Sequence, residues 1–144
     1  MKLLGLIMVF VLSATTEAWA YSLLRGDWQM KSHTCSSGAP IVDQIQLGRD
    51  RLQTLFRQNT FTIINNVATC SSWSSGRYEL RDGRVLILNV EQANTNCDPR
   101  GLKGTFTYAI DFLDNDHYVV YIGPVDGGAC PRGDLIQNVY ERIN

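Results

Sequence analysis

The stretch Arg77-Tyr78-Glu79-Leu80-Arg81-Asp82-Gly83-Arg84-Val85-Leu86-Ile87-Leu88 decides the fold. Apolar and polar residues alternate on both sides of Asp82-Gly83, the pattern of two half-buried strands. Asp-Gly is a preferred pair for a two-residue hairpin turn, because both positions must accept positive φ. The spacing predicts an antiparallel hairpin in which Leu80 faces Val85 and Tyr78 faces Ile87, all four pointing inward. Leu86, Leu88 and Val90 would then form an apolar row on the outside, under a covering loop or Arg stems such as Arg77.

The period of two recurs along the chain, broken by turn residues and with no long run of helical period. It predicts strands over residues 26–32, 51–57, 60–68, 76–81, 84–91, 104–112, 117–122 and 135–143. Eight strands close a small barrel, so the expected fold is all-β: an eight-stranded antiparallel up-and-down barrel. Short turns are expected after strands two, four and six, and long loops after strands one, three, five and seven. In a meander the odd connections share one end, and Cys35, Cys70, Cys97 and Cys130 each fall in or beside one of them. The sulfurs therefore gather at the open end. Strand eight returns beside strand one on closure, so of three possible pairings the nearest-neighbour one is Cys35 with Cys130 and Cys70 with Cys97. Such a staple would let the mouth loops be irregular, including a Ser-rich loop from Cys70 to Gly76 that carries Trp73.

Residues 1–20 have the form of a secretory signal: Lys2, an apolar run from Leu3 to Leu12, and a small-x-small site at Ala18-Trp19-Ala20. That leaves one domain, residues 21–144. The apolar run is too short to span a bilayer, and no cysteine sits at the cleavage site. The expected destination is therefore the periplasm or the exterior, with the protein secreted, soluble and oxidised. The net charge of −1 is unchanged by loss of Lys2 and Glu17, and basic residues are scattered among acidic ones. This disfavours nucleic acid and anionic membrane surfaces as partners.

Three short features carry a family resemblance. Gly26-Asp27-Trp28, at the start of the first strand, resembles the Gly-x-Trp signature of lipocalins, whose Trp plugs the closed end of the barrel. The stretch Asn115-Asp116-His117-Tyr118-Val119-Val120-Tyr121 is similar to the lipocalin Thr-Asp-Tyr-x-x-Tyr motif, with Asn115 in place of Thr and His117 inserted. Arg142 corresponds to the Arg that packs across the signature Trp. The chain thus resembles a compact, secreted bacterial lipocalin-like (calycin) protein. The resemblance implies binding of a small hydrophobic or amphipathic molecule in the barrel interior, with Gly26, Trp28 and Arg142 structural.

Strand phase suggests the lining. Phe106 and Tyr108 belong to the inward row of strand six, Trp28 carries Met30 inward, and the central hairpin adds Tyr78 and Ile87. These five, with Trp73 at the mouth as a lid or contact, are the candidate ligand-binding residues. Whether they frame a cavity or fill the barrel is left open by the sequence, as is the phase of the last two strands. A second reading is a secreted inhibitor of a hydrolase, a protease or lysozyme, acting on that target protein through the barrel-end loops.

No enzyme motif is present. His33 and His117 fall near opposite ends of the barrel, and the Asp111, Asp114 and Asp116 set lacks the Gly and distal Glu of a calcium loop. No metal site, cofactor or catalytic residue is expected. Arg132-Gly133-Asp134 matches an adhesion tripeptide but is ordinary turn chemistry.

Overall fold

The structure, a computed structural model, describes residues 18–41, 52–67, 70–95, 103–124 and 130–143. Eight strands follow in order: β1 (Gly26–Cys35), β2 (Leu52–Phe56), β3 (Thr60–Val67), β4 (Cys70–Arg81), β5 (Val85–Thr95), β6 (Gly104–Phe112), β7 (His117–Ile122) and β8 (Ile136–Arg142). Each pairs antiparallel with its sequence neighbours, and β8 closes on β1. Closure satisfies backbone groups that an open sheet would leave at its edges.

The central hairpin departs from expectation by one residue. Asp82 and Gly83 take the positive φ values of 53° and 65° that Asp-Gly favours, and the Arg84 N–H donates to the Arg81 carbonyl at 3.0 Å. Arg84 is then extra: Arg81 faces Val85, Leu80 faces Leu86 and Tyr78 faces Leu88. A one-residue slip turns every β5 side chain over. Leu86, Leu88 and Val90 enter the core, and Ile87 turns outward between Glu79 and Thr107. The physical reason lies in the sequence. The phase with Val85 and Ile87 inside also carries Asn89 and Glu91 inside, whereas Leu86, Leu88 and Val90 are all apolar, and burying an unpaired carboxylate costs more than any Ile gains. No outer row of Leu86, Leu88 and Val90 exists.

The Ser-rich stretch after Cys70 is a strand rather than a mouth loop. It pairs with β3 and β5, which leaves only residues 68–69 between β3 and β4. Serines pattern weakly, so alternation alone does not reveal it. Glu91 is an extra residue on β5, since Val90 opposes Gly76 while Gln92 opposes Ser75. Gly76 is needed at this bulge: a Cβ there would stand 1.8 Å from the Asn89 carbonyl oxygen, which is backbone and cannot step aside. A second bulge at Lys31 shifts the β1–β8 register between Met30 and Ser32.

The phase of the last strands is also settled. Tyr118, Val120 and Tyr140 join the core with Trp28, Phe56, Phe61, Leu80 and Ile110. A short helix at residues 18–24 packs under the barrel with Leu24 fully buried.

Candidate functional site

The turns at residues 57–59, 82–84 and 113–116, the start of β1 and the end of β8 share one end of the barrel, and this end is shut. Trp28, fully buried, donates its indole N–H to the Leu24 carbonyl at 2.7 Å. The Arg142 guanidinium lies 4.2 Å above the Trp28 ring. The same guanidinium donates to the carbonyls of Arg25 and Leu23 at 2.7 Å each and of Asn115 at 3.0 Å, and pairs with Asp116 at 3.4 Å. One side chain thus ties the N-terminal helix, the β6–β7 turn and β8 to the indole, using nearly the full donor fork of Arg. Gly26, at φ 138°, gives it passage, because a Cβ there would meet Arg142 Nη1 at 2.4 Å.

Above the plug runs an aromatic column. Tyr118 meets Trp28 edge-on at 4.7 Å and stacks with Tyr140 at 4.8 Å. It floors a cavity of about 200 Å³ lined by Phe56, Leu86, Leu88, Val120 and Ile122, with Thr54, Tyr108, Tyr118, Asn138 and Tyr140 as the polar members. No charged side chain lies among the described lining residues. Burial pushes the Tyr118 phenol well up, offset slightly by a hydrogen bond with Thr54, and pushes Tyr140 and Tyr108 up as well.

Asn138 holds a position that β-alternation alone would misplace at its partner. Because of the Lys31 bulge, His33 rather than Ser32 shares the inner face with Met30, directly opposite Asn138. His33 Nδ1 and Asn138 Oδ1 are 2.6 Å apart. The Asn138 amide is therefore held at Oδ1 from β1, and the residue also lines the cavity.

Of the residues expected to line the interior, Tyr108 does so. Met30 and Phe106 are half-buried and pack on the core without forming the cavity wall. Tyr78 belongs to the closed end: its ring lies 4.9 Å from Phe56 and 5.7 Å from Tyr21, and its hydroxyl donates to the Arg57 carbonyl at 2.9 Å. Burial, with Tyr21 adding to it, raises that phenol to about 12. Ile87 is on the outer wall. Trp73, 39 % exposed, stands on the outer wall within strand β4, between Ile64 and Asn94, and not in a loop. The Cys35–Cys130 bridge is present, with 5.7 Å between Cα atoms; the Cys70–Cys97 pairing lies outside the described residues. Asp134 of the Arg-Gly-Asp stretch accepts a hydrogen bond from the Ser37 hydroxyl, which fits its reading as turn chemistry. Among the described residues no group of three or more metal-ligating side chains occurs.

Of the lining, sequence reasoning found Tyr108 and missed the rest: Thr54, Phe56 and Ile63, Leu86 and Leu88, Tyr118, Val120 and Ile122, and Asn138 and Tyr140. A usable signal existed for two of them. An inward Arg142 carries Tyr140 and Asn138 inward by period two, even though β8 is apolar on both faces.

No family model matches the chain, and no curated protein matches it. Among solved structures it is similar to a lipocalin-like protein from Bacteroides uniformis ATCC 8492, with a TM-score of 0.55 and 14 % identity over 84 % of this chain and 99 % of that one. At that identity the likeness concerns fold, and with the closed eight-stranded antiparallel barrel it shows that this chain has the lipocalin-like fold.

Proposed function

We propose that the protein binds a small hydrophobic or amphipathic molecule inside the barrel. The observation that carries this reading is the aromatic-walled cavity of about 200 Å³ above a sealed floor. Closed barrels of this width are otherwise filled by their own side chains, so interior space bounded by a few convergent polar groups is the mark of a ligand site. The reading assigns the protein no reaction. It is preferred to an inhibitor reading because Trp73, the contact offered for a target enzyme, stands on a strand wall.

Export is part of the same proposal. Residues 1–20 would be removed as a signal and residues 21–144 kept, and the Cys35–Cys130 bridge supports a secreted or periplasmic destination. Among the described residues no helix is long and apolar enough to cross a membrane. The barrel wall carries the ion pairs Lys31–Glu141, Arg57–Asp27, Arg77–Glu91 and Arg81–Glu79 outward, a polarity opposite to that of a membrane-spanning barrel.

Native mass spectrometry of the oxidised protein from a secreting host tests the reading. A stoichiometric small-molecule adduct, released on denaturation, is the expected result. A protein that stays unliganded after incubation with host extracts would sink it.

A further inference from the structure

The chemistry of the cavity wall narrows the class of ligand, an inference that rests on the binding reading above. Three phenols line the cavity: Tyr118 is hydrogen-bonded with Thr54, whereas the hydroxyls of Tyr108 and Tyr140 have no hydrogen-bond partner among the described residues. Tyr140 is only 8 % exposed, and its ring is fixed by stacking on Tyr118. A further polar group, the Asn138 amide, is oriented by His33 at its Oδ1. Among the described residues no buried side-chain polar atom lacks a partner, so these two hydroxyls open onto the cavity, and beside the Asn138 amide they leave hydrogen-bonding capacity free for a ligand at one spot. The remaining wall is Phe, Leu, Ile and Val with the mutually hydrogen-bonded Thr54 and Tyr118, and Arg142 is occupied with backbone carbonyls and the Trp28 ring below the floor. No cation is therefore offered to a carboxylate or phosphate, and an anion would enter at full desolvation cost.

Size is the second restriction. An apolar cavity of ~150 Å³ accepts benzene, and sites for drug-sized ligands run to ~300–1,000 Å³. About 200 Å³ lies close to the lower figure.

We infer that the cavity takes an uncharged ring-sized molecule of about ten non-hydrogen atoms, whose carbonyl or hydroxyl group is hydrogen-bonded by Tyr108, Tyr140 and Asn138. Fatty acids and other anionic lipids are the wrong charge and the wrong length.

The test is calorimetric titration of the oxidised protein with para-hydroxyacetophenone, para-hydroxybenzoate, toluene and palmitate, with amide NMR to locate the site. The neutral ketone should bind, its carboxylate counterpart about tenfold or more weaker, and palmitate not at all. Tyr140→Phe, which keeps the ring and removes only the hydroxyl, should weaken the ketone about five- to tenfold while leaving toluene within about twofold. Asn138→Leu should act in the same direction, and Tyr108→Phe provides the same reading if that variant fails to fold. Palmitate binding at one-to-one stoichiometry without the ring probes would overturn this inference and leave the binding reading standing. Equal affinity for ketone and carboxylate, or a Tyr140→Phe loss shared by toluene, would also overturn it. If no probe binds the folded, oxidised protein, both readings fall.

Discussion

The two halves of this barrel spend their aromatic residues differently. At the closed end Trp28, Tyr78 and Arg142 have their polar atoms bonded to backbone carbonyls, and Phe56 and Phe61 fill the space between them. Midway up, Tyr108 and Tyr140 present hydroxyls to open space, and β4 contributes Ser72 and Ser74 to the face it shares with Tyr78. The lower half is an over-determined plug, and the upper half keeps small residues and unmet polar groups. The difference separates residues that specify the fold from residues that are free to specify a ligand.

The strongest way to break this division is Trp28→Ala, which removes a fully buried indole and strands the Arg142 guanidinium. It should cost about 3–5 kcal/mol in urea unfolding, much of a typical ~5–15 kcal/mol total. A loss below about 2 kcal/mol would mean the closed end is not the determinant. Next comes the open end: replacing Cys35 and Cys130 together by Ser should cost about 3–4 kcal/mol, because the bridge closes a separation of 95 residues in the unfolded chain. Native near-ultraviolet circular dichroism from Trp28 should nevertheless persist.

A paired glycine test compares the ends directly. Gly26 and Gly38 both sit at positive φ, 138° and 83°, but only Gly26 has a side chain in the path of an added Cβ. Gly26→Ala should cost about 2–3 kcal/mol and Gly38→Ala about 1 kcal/mol, by thermal or chemical denaturation. Smaller still, Tyr140→Phe should change stability by no more than about 1 kcal/mol, since it removes a hydroxyl without a protein partner. A larger loss would place Tyr140 with the plug.

The smallest effect is at the rim of the closed end. The Asp114 carboxylate, hydrogen-bonded to His117 at 2.9 Å, raises the imidazole above its ordinary value of 6.5, with desolvation opposing and Glu141 assisting. A group raised by folding contributes stability below its unfolded pKa and loses it as pH rises through the folded value. Stability from this pair should therefore fade above pH 6.5, and Asp114→Asn should return the NMR titration of His117 toward 6.5.

The fold was legible in the sequence because closure depends on strand count, turn placement and the Gly26, Trp28 and Arg142 positions, all of which are local patterns. The inner face of β6 was legible for the same reason, with Phe106, Tyr108, Ile110 and Phe112 alternating against polar residues. The cavity was less so. The extra residue Arg84 turned Leu86 and Leu88 into its wall, the insertion of Lys31 brought His33 opposite Asn138, and β7 and β8, apolar on both faces, hid Tyr118, Val120, Ile122 and Tyr140. Ile87 illustrates the point. Turn chemistry at Asp82-Gly83 was right, but register followed the all-apolar Leu86, Leu88 and Val90 set, and that choice needed Asn89 and Glu91 to be weighed with the residues nearer the turn.

The pairing of β1 with β8 has a consequence in time. Three side-chain links run up this seam, Trp28 with Arg142 at the bottom, His33 with Asn138 in the middle and Cys35 with Cys130 at the top, and each joins residues about a hundred positions apart. Contacts so distant in sequence form late, because the entropy of closing the longest loop comes due before any of them can form. As the chain emerges, the first strand must wait with its edge open until the last has been made. Plug, polar anchor and staple then arrive together, so a chain truncated before Cys130 loses all three at one stroke.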